Sequence, residues 1–117
     1  MKVYCYERCS TCKKALNWLD EQGIAYEPID IKGEHPSEKT LRDAYKKSGL
    51  SLKRFFNTSG QLYREMGLTQ KLPQMSESEQ LKLLASDGML VKRPLVIAED
   101  FVLLGFKERE WQAALQA

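Results

Sequence analysis

Within residues 2–31 an alternating segment, an amphipathic segment and a second β-prone segment follow one another, and this order constrains the fold more than any other feature of the chain. KVYCYE, residues 2–7, alternates and is rich in β-branched and aromatic side chains. It predicts a strand with Val3 and Cys5 on one face and Tyr4 and Tyr6 on the other. From Ser10 to Gln22, Ala15, Leu16, Trp18 and Leu19 recur at helical spacing, and Gly23 supplies the stop. IAYEPIDI, residues 24–31, reads as a second strand. Two strands joined by a crossover helix of this length pair in parallel through a right-handed connection.

The middle of the chain has helical signals only. HPSEKTLRDAYKKSG carries the cap candidate Ser37, apolar Leu41, Ala44 and Tyr45 at helical spacing, and a stop at Gly49. A polar turn, Asn57 to Gly60, precedes a short helix around Leu62–Met66. SESEQLKLLASDG gives another helix, capped by Ser76 or Ser78 with acids in its first turn and stopped near Gly88. A helical insert is thus predicted over about 36–88. RPLVIAEDFVLLGF then reads as a hairpin, LVIA and FVLL turning about Glu99 and Asp100, and KEREWQAALQA as a final helix with Trp111 and Leu115 on its apolar side. The expected architecture is α/β: a four-stranded mixed sheet flanked by helices, the insert lying between a βαβ unit and a ββα unit.

At 117 residues the expectation is a single domain spanning 1–117, and 43% hydrophobic with 29% charged residues is an ordinary globular balance. The net charge of +2 points to no nucleic-acid or membrane-surface footprint, so direct nucleic-acid contact is not expected and any anion site must be local. No apolar run approaches spanning length, and the N-terminal segment lacks the apolar core of a secretory signal. A cytoplasmic location is expected, and there a close cysteine pair is more often catalytic or metal-binding than structural.

All three cysteines fall at the first strand–helix junction: Cys5, Cys9 and Cys12 read C-x3-C-x2-C. An iron–sulfur reading needs three convergent thiolates, yet Cys5 sits within a strand, about 6–7 Å of chain per two residues behind the turn. A zinc reading needs a fourth ligand, and the lone His35 beside Pro36 is distant in sequence. No metal is expected; His35 is most simply a loop residue and Cys5 a small buried hydrophobe. The redox reading needs only Cys9 and Cys12. A C-x-x-C opening a helix meets unpaired backbone N–H groups and the positive dipole end, with Arg8, Lys13 and Lys14 alongside. Cys9 is the expected catalytic nucleophile, with a lowered thiol pKa, and Cys12, one turn on, the resolving thiol.

Pro94 starts the third strand, where it has no N–H to lose to a ladder. A guanidinium at Arg93, near a thiolate at a helix start, would complete an oxyanion pocket; the alternative reading of the same residue is a solvated arginine at a loop end.

These residues resemble the arsenate reductase-like (ArsC) proteins of thioredoxin fold, a family that includes the Spx redox-sensing regulators. The likeness rests on YCYERCSTCKKALNWLDEQGIAYEPIDI, on LYREMGL in the insert and on RPLVIAEDFVLLGF. It implies a cis Arg93–Pro94 bond and a site built from Cys9, the helix start and Arg93. This chain has Glu7-Arg8 where the family carries Asn-Pro, and Lys13 where it carries an oxyanion-binding Arg. Asn57 aligns with a second such Arg, with Arg54 nearby, and the Gly105-Phe106 region replaces a third. The resemblance implies no bound cofactor and a thiol–disulfide oxidoreductase that reduces arsenate or another oxidised substrate, with glutathione and glutaredoxin as reductants. Its partners would be a small oxyanion or a thiol/disulfide protein. The alternative is an Spx-like regulator in which a Cys9–Cys12 disulfide tunes binding to the C-terminal domain of the RNA polymerase α subunit, with Lys46, Lys47, Lys53 and Arg54 facing the partner.

Overall fold

The computed structural model describes residues 1–116. β1 (Lys2–Cys5) leads through α1 (Ser10–Glu21) to β2 (Glu27–Asp30), which pairs with β1 in parallel, Lys2 opposite Glu27 and Cys5 opposite Asp30. β3 (Leu95–Ile97) lies antiparallel on the other side of β1, and β4 (Val102–Leu104) continues the sheet antiparallel, giving the order β2-β1-β3-β4. The second strand is shorter than IAYEPIDI suggests. Gly23, with φ +67°, turns the chain out of α1, and the segment up to Tyr26 carries it back to the sheet before pairing begins at Glu27.

Period-two alternation divides the sheet into two cores. Val3, Cys5 and Val96 face α1 and α6 (Glu108–Leu115), where they meet Cys12, Ala15, Trp18, Leu19 and Trp111. Tyr4, Leu95, Val102 and Leu104 face the insert. Trp111 is fully buried, lies edge-on to both Trp18 and Phe106, and donates its Nε1–H to the Gly105 carbonyl at 3.1 Å. Side chains of this size each stabilise the fold by about 1.5–3 kcal/mol through burial alone.

The insert comprises α2 (Glu38–Ser48), α3 (Gln61–Glu65), α4 (Leu68–Lys71) and α5 (Glu77–Ser86), linked by short 3-10 turns. Ser37 caps α2 by accepting from the Thr40 N–H, and Gly49 ends it in the left-handed conformation. Ser76 is the α5 cap and forms a capping box with Glu79. The first turn of α5 thereby satisfies two otherwise unpaired N–H groups.

The insert returns to the sheet through Gly88, where a Cβ would collide with the Ile31 carbonyl oxygen. Only glycine permits this approach. Past it, the Asn57 N–H donates to Leu90 O and the Lys92 N–H to Phe55 O, both at 2.7 Å, around an antiparallel bridge of Phe56 with Val91. This miniature ladder sets Lys92 and Arg93 beside Asn57. No helix of the described residues is long and apolar enough to cross a membrane.

Candidate active site

The β1–α1 turn is closed by the Cys9 N–H donating to Tyr6 O at 3.0 Å, and Cys9 becomes the N-cap of α1 with extended backbone. Its side chain caps no N–H, and no acidic residue stands in the first turn. The N-terminal N–H groups of this twelve-residue helix therefore remain an anion-attracting end beside the Cys9 sulfur. Cys9 is partly exposed, whereas Cys12 is 1% exposed and packs against the sheet.

Cys9 opens into a cleft of about 660 Å³. Its walls come from the α1 start, the segment Ser51–Ser59 of the insert, and the residues flanking β3 and β4, and they carry the cations Lys53, Arg54, Lys92, Arg93 and Lys107. No Asp or Glu lines it. Lys92 and Arg93 are the half-buried cations of the cleft. Arg93 Nε and Nη1 are buried and without a hydrogen-bond partner, and its Cζ lies 5.2 Å from the centre of the Tyr6 ring. The Arg93–Pro94 peptide is cis, and the Gly105 N–H donates to Pro94 O at 3.0 Å, so the end of β4 is tied to the start of β3 at the cleft wall. Gly105 has φ +71°, which a side chain would strain.

The lowered thiol is Cys12, at about 6. Hydrogen bonding from Cys5 is the largest cause; burial opposes it, and the Tyr6 N–H, the Cys9 thiol and the Arg93 charge add to it. The Tyr6 N–H lies 3.5 Å from Cys12 Sγ. Cys5 moves the other way, pushed far up first by its hydrogen bond to Cys12 and then by burial. The two thiols are thus pushed in opposite directions, Cys12 toward the charged form and Cys5 toward the protonated one.

Of the residues singled out in the sequence, the fold gathers Cys9, Cys12, Arg93 and Pro94 around one end of the sheet. It does not gather Lys13, whose side chain is exposed and absent from the cleft wall, because position 13 of α1 turns away from the sheet when Cys12 turns toward it. Arg8 and Lys14 are likewise exposed and outside the cleft. Lys92 and Lys107 line it instead. Lys92 could have been found as the neighbour of Arg93, but nothing in the sequence marks Lys107, which reaches the cleft because β4 ends there. His35 is exposed, and among the described residues no cluster of three or more His, Cys, Asp or Glu is arranged to hold a metal ion.

A mixed sheet of order β2-β1-β3-β4 flanked by helices, with a cis peptide before β3, defines a thioredoxin-like α/β protein. The chain belongs to the ArsC family, whose model matches residues 4–114. YusI of Bacillus subtilis (strain 168) is 53% identical over 112 residues, covering 96% of this chain and 95% of that protein. An arsenate reductase of Neisseria meningitidis serogroup A is 31% identical over 106 residues, 90% of this chain and 89% of its own. The global transcriptional regulator Spx 2 of Bacillus anthracis is 21% identical over 108 residues, 92% and 81% of the two chains. A Bacteroides fragilis crystal structure superposes with a TM-score of 0.93 at 49% identity, covering 96% of this chain and 94% of that one.

Proposed function

We propose that this protein is a thiol–disulfide oxidoreductase that reduces a small anionic substrate, arsenate or a mixed disulfide bearing carboxylates, at Cys9. The observation that carries this reading is the cleft that Cys9 opens into, lined by Lys53, Arg54, Lys92, Arg93 and Lys107 and by no Asp or Glu. Five cations with no carboxylate among them draw an anion into the cleft, where its oxygens can accept from the exposed donors of the lining side chains.

Cys9, the exposed thiol, attacks first. On a disulfide R–S–S–R′ it forms a mixed disulfide and releases R′–SH. On arsenate it forms an S–As(V) bond and water leaves. Arg93 and the α1 N–H groups hold the anionic oxygens in place. The buried Cys12 thiolate then attacks Cys9 Sγ. The Cys9–Cys12 disulfide forms, and the electron pair of the broken bond departs on sulfur as R–SH or on arsenic as arsenite. An external thiol, glutathione through glutaredoxin, returns the pair to the dithiol. No bound cofactor is required.

The likeness to an Spx regulator favours a second reading, in which the same disulfide is a sensor that alters binding to the RNA polymerase α subunit. A coupled assay with arsenate, glutathione and glutaredoxin, and a parallel one with a glutathione mixed disulfide, separates the two. Turnover abolished by Cys9→Ser is the expected result, and Cys12→Ser should stall with substrate bound to Cys9. A disulfide that forms readily while neither substrate turns over would reject the enzyme reading in favour of the sensor.

A further inference from the structure

Tyr6, the residue that follows β1, meets each member of the site while standing outside the cleft. Its backbone N–H donates to Cys12 Sγ at 3.5 Å, its carbonyl accepts from the Cys9 N–H at 3.0 Å, and its ring lies 5.2 Å from Arg93 Cζ. The two backbone bonds fix the ring relative to the cysteine pair. Tyr6 does not line the cleft, so any effect of its side chain on an anion there passes through Arg93.

Arg93 is otherwise free to turn. Its Nε and Nη1 have no hydrogen-bond partner, and among the described residues the ion pairs are Lys39 with Asp43 and Arg42 with Glu38. Nor does Arg93 border one cavity alone. With Asn57 it also lines a second cavity, of about 500 Å³, whose walls include Glu65 and Asp87. An unrestrained guanidinium is drawn to carboxylates, and the Cys9 cleft has none.

We propose that Tyr6 is a positioning residue for the anion site: its ring face holds the Arg93 guanidinium toward Cys9 and away from Glu65 and Asp87. This rests on the reading of Arg93 as an anion-binding group. The attraction of a cation for an aromatic face needs the ring and not the hydroxyl, so phenylalanine keeps it and an aliphatic side chain loses it. Stacking also fixes the plane of the guanidinium, and with it the directions in which the N–H groups point. Because the ring is anchored through the Cys9 turn, the cation and the thiol are presented to an anion together.

The test reads charge selectivity at Cys9 and needs no turnover. Alkylation of Cys9 by iodoacetate, an anion, and by iodoacetamide, its neutral counterpart, is followed by mass spectrometry. The ratio of the two rates reports the pull of the site on an anion, whereas a change in the thiol itself alters both rates together. Tyr6→Leu should lower the ratio about 2–5-fold, the range of a cation–π contact at a partly exposed site, and Tyr6→Phe should keep the parent's value. Arg93→Met should lower it too, and adding Tyr6→Leu to that variant should change it no further. If Tyr6→Leu does not fold, Tyr6→Met fills the space with an adaptable side chain that has no aromatic face. Equal ratios in the aromatic and aliphatic variants, or a fall on adding Tyr6→Leu to Arg93→Met as large as in the parent, would overturn the proposal and leave Arg93 in the site. A ratio that Arg93→Met does not change would overturn the anion-binding reading of Arg93, and the role of Tyr6 with it.

Discussion

The Arg93 guanidinium lies over the Tyr6 ring, 5.2 Å from Cζ to the ring centre, so the residue that follows β1 is the platform for a cation of the cleft. Tyr6 supports the flat face of the guanidinium, and Nε and Nη1 are left without acceptors. Such an arrangement favours anion binding over stability. Arg93→Met should weaken binding of arsenate, phosphate or sulfate by about 10–100-fold, the range of one or two charge-assisted hydrogen bonds. The same variant should unfold within about 1 kcal/mol of the parent, since the contact over Tyr6 is lost but no hydrogen bond of Nε or Nη1 is. Anion titrations and urea unfolding check the pair of outcomes; unchanged affinity would remove Arg93 from the site.

The lowered Cys12 thiol ties stability to pH with a definite sign. In the folded protein it loses its proton near 6, while in the unfolded chain it keeps it to the free-thiol value of about 8.5. Across that window the unfolded state binds more protons, so this group's contribution rises with pH and is lost as pH falls through 6, by at most about 1.4 kcal/mol per pH unit. Urea midpoints of the reduced protein should climb from pH 6 to 8, and Cys12→Ser should flatten the slope. A parent slope no steeper than that of Cys12→Ser would reject a buried thiolate at this position.

Much of this architecture is written in periodicity. The alternation of Val3, Tyr4 and Cys5 predicts which side chain meets which core, and the hairpin and its edge turn are legible from LVIA and FVLL. The insert is legible in its capped members, α2 and α5, because Ser37 and Ser76 are local signals. α4 is not: four residues, Leu68–Lys71, exist as a helix because Leu68 and Leu72 are buried by the neighbouring helices. The site divides in the same way. The cysteine pair and Arg93 are visible through chemistry carried on single residues. The burial of Cys5 and Cys12 in one cluster and the entry of Lys107 into the cleft depend on how separate elements pack against each other. Lys13 is the converse, adjacent in sequence and remote in space.

Gly88 is where the insert is fastened to the βαβ unit. The Ile31 carbonyl oxygen and the His35 Cβ occupy the space a side chain would need, and the carbonyl is backbone that cannot rotate away. Gly88→Ala should destabilise the protein by about 1–3 kcal/mol, the usual cost of overpacking, or more if β2 shifts. Gly23→Ala meets no neighbouring atom and is limited to the strain of its positive φ, about 1–2 kcal/mol. Denaturant unfolding of the two variants gives the comparison. Equal losses would mean that the close approach at Ile31 is not what holds the insert.

The cleft cations set how the site meets its anion. Lys92 and Lys107 line the cavity with Cys9, while Lys13, nearer in sequence, is exposed outside it. Each cleft lysine adds attraction that water and salt screen, so neutralising one should weaken anion binding only about 2–5-fold, against the larger loss at buried Arg93. Lys92→Ala and Lys107→Ala should therefore raise the anion dissociation constant and make it less sensitive to added chloride. Lys13→Ala should leave both properties at the parent's values. Isothermal titration with sulfate or arsenate at two ionic strengths reads affinity and salt slope together. A Lys13→Ala effect as large as that of Lys107→Ala would show that the anion binds on the outer face of α1 rather than in the cleft.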